Sequence, residues 1–309
     1  MASAFASWGL LLGLIPLLQQ RLLDQPNSRS AHSRPTPRGG GVAFVLVAVA
    51  MSGLAWLSGI QAPAALLPLL ALPLALVGLL DDRLDLPAAW RYGVQLLTGS
   101  ILLACSPLVR ALVGPGWLAL PVLLIAVTAV INFTNFMDGL DGLVAGCMAV
   151  ALAAAALQLQ LPVVIWALVG GLLGFLIWNW SPARVFMGDV GSTFLGAVFA
   201  GVVLQASSWP EALGLLLVAT PLLGDACLCV PRRLFAGQPI FQAHRLHLFQ
   251  RLHQAGWSHG SVARLYITGS VLLAVMLLLA GWPWVIPLAV LELLIGVWLD
   301  QRVAVPFAA

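Results

Sequence analysis

Apolar runs of roughly 20 residues, separated by short polar breaks, recur along the whole 309-residue chain. A helix of that length covers the hydrocarbon core of a bilayer and satisfies its own backbone polar groups there. Such runs lie near residues 4–21, 41–60, 63–80, 92–110, 117–134, 142–159, 162–178, 190–208, 212–230, 262–281 and 283–299. Several are parted by Pro/Gly turns, such as Gly114-Pro115-Gly116 and Gly281-Trp282-Pro283. Only 8% of residues are charged and mean hydropathy is +1.02, whereas a soluble domain carries roughly 25% charged residues. The sequence therefore predicts an all-α, polytopic membrane protein with about 11 transmembrane helices, forming one domain over residues 1–309. A water-soluble enzyme is excluded.

The charges give that bundle an orientation. Every basic residue of the Lys/Arg class is arginine. The first run has no basic segment before it and no small-residue cleavage site; Arg21, Arg29, Arg34 and Arg38 follow it instead. It is expected to be retained, with its N-terminus outside. Threading the spans alternately then places Arg21, Arg29, Arg34, Arg38, Arg83, Arg91, Arg184, Arg232, Arg233, Arg245, Arg251, Arg264 and Arg302 inside, leaving Arg110 outside. This is a strong positive-inside bias, and it puts the C-terminus inside. The inner connections, near 22–40, 81–91, 135–141, 179–189 and 231–261, hold almost every ionisable residue. Catalytic loops are thus expected on the cytoplasmic face.

Five inner segments carry unusual chemistry. Arg38 precedes Gly39-Gly40-Gly41 at the mouth of the second helix, either as a positively charged anchor on a flexible turn or as an anion cradle of backbone N–H groups. Asp81, Asp82 and Asp85 close the third helix, followed by Arg91 and Gln95. Adjacent carboxylates at a membrane surface call for a cation or a proton, unless they form a solvated helix end. Asn132 and Asn135 lie one turn apart, so both amides can face one ligand. The Asp138-Gly139 and Asp141-Gly142 pairs follow in a turn whose order does not fit an EF-hand. Asp189 stands between Gly188 and Val190 at a helix start, as part of a hard-cation or phosphate site, unless it or Ser192 is only an N-cap. The last loop contains His244, Arg245, His247 and Arg251. Two histidines do not complete a zinc site, and His253 and His259 form no familiar set with them, so a phosphate is the expected partner.

Cys105, Cys147, Cys227 and Cys229 show no metal spacing and are expected to be packing residues. Asp225 either pairs with the Arg232/Arg233 pair or supports the site, while Glu292 lies far from every motif. Carboxylates and amides beside arginines on one membrane face suggest a metal–diphosphate site, because a divalent cation reverses the local repulsion of phosphate. The absence of a Walker A motif argues against an ATP-driven pump. A transporter of anionic solutes would place its charges near the midplane, whereas these crowd one face. A scaffold without activity is disfavoured by the intact Asp and Asn set.

The ordered segments PTPRGGG, DDRLD, NFTNFMDGLDGL and VFMGDVGS, with the His/Arg-rich loop, resemble the polyprenyl-phosphate N-acetylhexosamine-1-phosphate transferases over residues 25–260. That family includes the undecaprenyl-phosphate GlcNAc-1-phosphate transferases and the phospho-MurNAc-pentapeptide translocases. The resemblance implies transfer of a HexNAc-1-phosphate from a UDP-N-acetylhexosamine to undecaprenyl (polyprenyl) phosphate in the bacterial inner membrane, initiating O-antigen or envelope polysaccharide synthesis. Phospho-MurNAc-pentapeptide transfer is the alternative. It implies Mg²⁺, with Mn²⁺ as a substitute, held by Asp189 and Asn135; Asp81 and Asp82 would deprotonate the lipid phosphate or order the site. Arg91 would touch phosphate, Asp141 (with Asp138) would read the uracil, and His244, Arg245 and His247 would handle phosphate and sugar. No nucleic-acid partner is expected, and a homodimer is compatible with the family. The GlcNAc-1-phosphate branch carries a His-x-His-His cluster in the last loop; this chain reads His247-Leu248-Phe249-Gln250. That resembles the O-antigen-initiating enzymes that accept 6-deoxy sugars such as UDP-FucNAc or UDP-QuiNAc.

Overall fold

The computed structural model describes residues 1–26, 31–32, 34–60, 62–112, 114–238 and 244–307; Arg29 lies outside them. The chain is almost entirely helical: α1 (Ala2–Arg21), α2 (Val42–Leu57), α3 (Pro63–Leu84), α4 (Ala88–Ala104), α5 (Pro107–Arg110), α6 (Leu120–Phe136), α7 (Leu143–Gln158), α8 (Val163–Asn179), α9 (Asp189–Val203), α10 (Trp209–Leu217), α11 (Thr220–Phe235), α12 (Leu248–Gln254), α13 (His259–Ala280) and α14 (Trp282–Arg302). Two short antiparallel strands, β1 (Leu23–Asp24) and β2 (Thr36–Pro37), fasten the segment after α1.

Every predicted apolar run coincides with a helix, but some bounds change. The third helix does not stop at residue 80: α3 continues through Asp81 and Asp82 to Leu84, and Asp85 ends it in a left-handed conformation with φ 53°. The fourth run breaks at Ser106, whose side chain accepts the Val109 N–H and starts α5. The ninth run is two helices, α10 and α11, bent by 87°. The inner loops shrink accordingly, since residues 135–136 belong to α6 and 231–235 to α11.

Among the described residues, α1, α3, Gly116–Phe136, α13 and α14 are long and apolar enough to cross a membrane, and the bent pair α10–α11 makes a sixth candidate. This is a multi-pass membrane protein. Helices α2, α7, α8 and α9 have only 15–17 residues, about 22–26 Å against a hydrocarbon core of about 30 Å. Helices α7 and α9 are buried on every side, as expected for segments apolar all round.

Small residues let these helices approach closely. Helix α9 packs on α3 and α6. A Cβ on Gly78 would lie 2.5 Å from the Asp189 backbone, and one on Gly196 would lie 2.7 Å from the Ile131 Cα. The end of α3, the end of α6 and the start of α9 are thereby forced together.

Candidate active site

The two carboxylates that close α3 are not a solvated helix end: Asp81 is 8% and Asp82 5% exposed. Asp82 caps α9, its Oδ1 accepting the Asp189 N–H at 3.2 Å and its Oδ2 the Val190 N–H at 3.3 Å. Gly188, at φ +74°, is required there, since a Cβ would sit 2.4 Å from Asp82 Oδ2. Arg38 lies on the same group, its Nε 3.8 Å from Asp82 Oδ1, and its guanidinium donates to the Asp82 carbonyl. Asp81 accepts Arg91 Nη1 at 2.9 Å and the Leu86 N–H at 2.7 Å. The Asp189 side chain faces both Asp81 and Asp82.

The glycine turn after Arg38 is not an open anion cradle. The Gly40 and Gly41 N–H groups donate to the carbonyls of Phe186 and Met187, both at 2.9 Å. Their missing side chains serve packing: a Cβ on Gly41 would lie 2.6 Å from the Gly191 Cα. The asparagines also divide their work. Asn135 Oδ1 accepts the Ser192 hydroxyl at 2.5 Å, whereas Asn132 donates to Gln95 Oε1 at 2.7 Å and to the Thr128 carbonyl at 2.8 Å. Both side chains nonetheless line one cavity.

The turn between α6 and α7 is clamped by Asn179, which accepts the Gly142 N–H and donates to the Val185 carbonyl, each at 3.0 Å. Burial pushes the Asp138 carboxyl up to about 7, and the Asp82 charge adds to this against a hydrogen bond from the Gly188 backbone. Asp141 is also desolvated, but His259 at 3.1 Å and the Ala183 N–H at 3.1 Å hold its carboxyl below the usual range. His259, dismissed as a zinc ligand on spacing, is thus the partner of Asp141.

In the last loop, Asp225 accepts the Leu248 N–H at 2.9 Å, the Phe249 N–H at 3.1 Å and the Tyr266 hydroxyl at 2.8 Å. His247 Nδ1 lies 3.3 Å from its carboxylate. Burial opposes charge on this ring, but Asp225 and the neighbouring Cys229 outweigh it and push its pKa up to about 9. Asp225 thus ties α11 to the start of α12, to His247 and to Tyr266 on α13. Arg232 pairs with Asp300 at 2.8 Å, and Arg233 Nε donates to Gln238 at 3.3 Å.

Two cavities meet at Asp189, Phe136 and His244. One, of about 300 Å³, is walled by Asp81, Arg91, Gln95, Asn132, Asn135 and His247 with apolar Leu74, Val77 and Val230. The other, of about 390 Å³, is walled by His32, Arg38, Asp82, Asp138, Asp141 and His259. The predicted site residues thus gather around Asp189, except Arg245, which lines neither cavity. Gln95 and His32 were not singled out as ligands because a lone polar side chain carries no spacing signal.

Residues 64–207 match the sequence profile of glycosyl transferase family 4. The decaprenyl-phosphate N-acetylglucosaminephosphotransferase of Mycobacterium leprae is 33% identical, over 82% of this chain and 76% of its own length. The undecaprenyl-phosphate alpha-N-acetylglucosaminyl 1-phosphate transferase of Yersinia pestis is 31% identical over 82% and 76%. The phospho-N-acetylmuramoyl-pentapeptide-transferase of a Synechococcus strain is 32% identical over 88% and 87%.

Proposed function

This chain belongs to glycosyl transferase family 4, and from that membership we propose that it moves a HexNAc-1-phosphate from a UDP-sugar onto undecaprenyl or another polyprenyl phosphate, releasing UMP. It is a phosphotransferase, as its relatives are. The observation that carries the reading is the convergence of Asp81, Asp82, Asp138 and Asp189 beside Asn135, Arg38 and Arg91 where two cavities meet. Carboxylates so crowded suit a hard divalent cation, and their all-oxygen donors fit Mg²⁺ or Mn²⁺. Asp189 and Asn135 would hold it. When bound, the cation neutralises the diphosphate and the developing charge on the UMP oxygen.

The apolar-walled cavity suits the lipid phosphate, with Arg91 beside its entrance to phosphorus; the polar one suits the nucleotide, with Asp141 and Asp138 toward the uracil. His244 and His247 would then face the phosphates and sugar from the last loop, with Arg245 between them in the chain. A lipid phosphate oxygen attacks the sugar-bearing phosphorus, a new phosphoanhydride forms, and the bond to UMP breaks with its electron pair on UMP. One anhydride replaces another, so no ATP is required. Both oxygens of Asp82 already accept backbone N–H groups and Asp81 is tied to Arg91, which supports direct attack by the phosphate, with these carboxylates positioning the site. The reaction would serve O-antigen or envelope polysaccharide initiation at the bacterial inner membrane.

A panel of UDP-GlcNAc, UDP-FucNAc, UDP-QuiNAc and UDP-MurNAc-pentapeptide, incubated with undecaprenyl phosphate and Mg²⁺, tests this by UMP release and the mass of the lipid product. Product from a HexNAc donor supports the proposal, and Asp189→Asn should reduce it by about 1,000-fold or more. No UMP from any donor overturns it. Product from the pentapeptide donor alone would favour the second reading, muramoyl-pentapeptide transfer, which the 87% coverage of the Synechococcus relative supports.

A further inference from the structure

Cys229 stands four residues after Asp225 on α11, one helical turn along the same face. It is 5% exposed, whereas Cys227 on the same helix points outward. The Cys229 thiol meets two histidines from the loop before α12. His247 is 2% exposed; its Nδ1 is committed to Asp225, and its Nε2 is buried with no hydrogen-bond partner among the described residues. His244 stacks on it with ring centroids 4.9 Å apart and uses its Nδ1 to accept the Leu246 N–H at 3.2 Å. One ligand atom from each of the three side chains lies within 4.8 Å of the others.

We propose that Cys229, His244 and His247 bind one borderline-soft divalent cation, Zn²⁺ in the first instance, at a site that adjoins the oxygen-lined one around Asp189 across the cavity His244 and His247 help to wall. A thiolate and two imidazoles select zinc over magnesium. Tetrahedral zinc, with Zn–S about 2.3 Å and Zn–N about 2.0–2.1 Å, sets its ligand atoms roughly 3.3–3.6 Å apart. From separations of up to 4.8 Å the three groups need to close by as much as about 1.2–1.5 Å, a movement the half-buried His244 can supply. Asp225 behind His247 completes the carboxylate–histidine–metal arrangement that fixes the ring and its tautomer. The thiol proton, and any proton on Nε2, passes to solvent as the metal binds. Three protein ligands leave a fourth position for water or a phosphate oxygen, and His244 and His247 also wall the cavity containing Asp189. The sequence hid this site because its cysteine lies far upstream of the histidines, across the turn that follows α11.

The test is Co²⁺ titration of the purified full chain in detergent, with Mg²⁺ in excess and no sugar or lipid substrate, so that its outcome is independent of the transfer reading. The expected result is a thiolate-to-cobalt absorption band with tetrahedral d–d bands, saturating at one equivalent and erased by Zn²⁺. Cys227→Ser should keep the band and Cys229→Ser should lose it. His244→Ala, at the more accessible ligand, should abolish the tetrahedral pattern even if Cys229→Ser fails to fold. A folded wild-type chain without the thiolate band, or a band that survives in Cys229→Ser, overturns the proposal.

Discussion

At the scale of single residues, the site is a set of carboxylates held where carboxylates are costly. Asp138 keeps its proton up to about pH 7 instead of the ordinary 3.8, because its carboxyl is desolvated and the Asp82 charge adds to this. Between those values the folded chain binds a proton that the unfolded chain has released. Stability without a divalent cation must then fall as pH rises through that window and level off above it. In EDTA, the thermal midpoint of the detergent-solubilised protein is expected to be lower at about pH 8 than at about pH 5, and saturating Mg²⁺ should remove much of the difference. A midpoint that climbs with pH in EDTA would show that Asp138 is not so placed.

At the scale of elements, glycine and alanine do what charge patterns cannot: they set how near two helices come. The start of α9 reaches the last turn of α3 because Gly78 leaves the Asp189 backbone room. Gly78→Ala is expected to destabilise the protein by roughly 1–3 kcal/mol through overpacking and to lower activity by displacing Asp189. Gly93→Ala, on α4 with nothing within 4 Å of the added carbon, should be neutral or stabilising, since alanine is the better helix former. Comparison of the two thermal midpoints checks this, and equal effects would mean that α3 and α9 can part freely. The bend between α10 and α11 belongs to the same scale. It follows from the break at residues 218–219 before Pro221, and it lets α11 carry Asp225 and Cys229 beneath the last loop.

At the scale of the whole molecule, the eleven-span threading with its outer N-terminus is a proposal resting on where the arginines sit. It predicts that a fluorescent protein fused after residue 309 glows in the cytoplasm, while a periplasm-dependent phosphatase fused there stays inactive. The same phosphatase joined in the short connection between α10 and the preceding helix α9 should be active. The reverse pattern would invert the bundle and place the candidate site on the wrong side for a cytoplasmic nucleotide sugar. Among the described residues, five or six helices satisfy the length for a crossing outright; of the shorter ones, α7 and α9 are enclosed by their neighbours, while α2 and α8 keep apolar side chains such as Trp56 and Ile177 on the outside.

The apolar runs alone determined that this chain is helical and membrane-embedded, because lipid leaves a backbone no other way to satisfy itself at that depth. The acidic and amide residues worth watching were also readable, since charge near hydrocarbon is too expensive to be incidental. Tertiary structure decided which of them meet. Only close helix approach turned Asp82 into the cap of α9, assigned the Gly40 and Gly41 amides to carbonyls rather than anions, and set Cys229 beside His244 and His247. Those outcomes depend on contacts between residues from about fifteen to more than a hundred positions apart, across a break between elements, where spacing along the chain carries no geometric information.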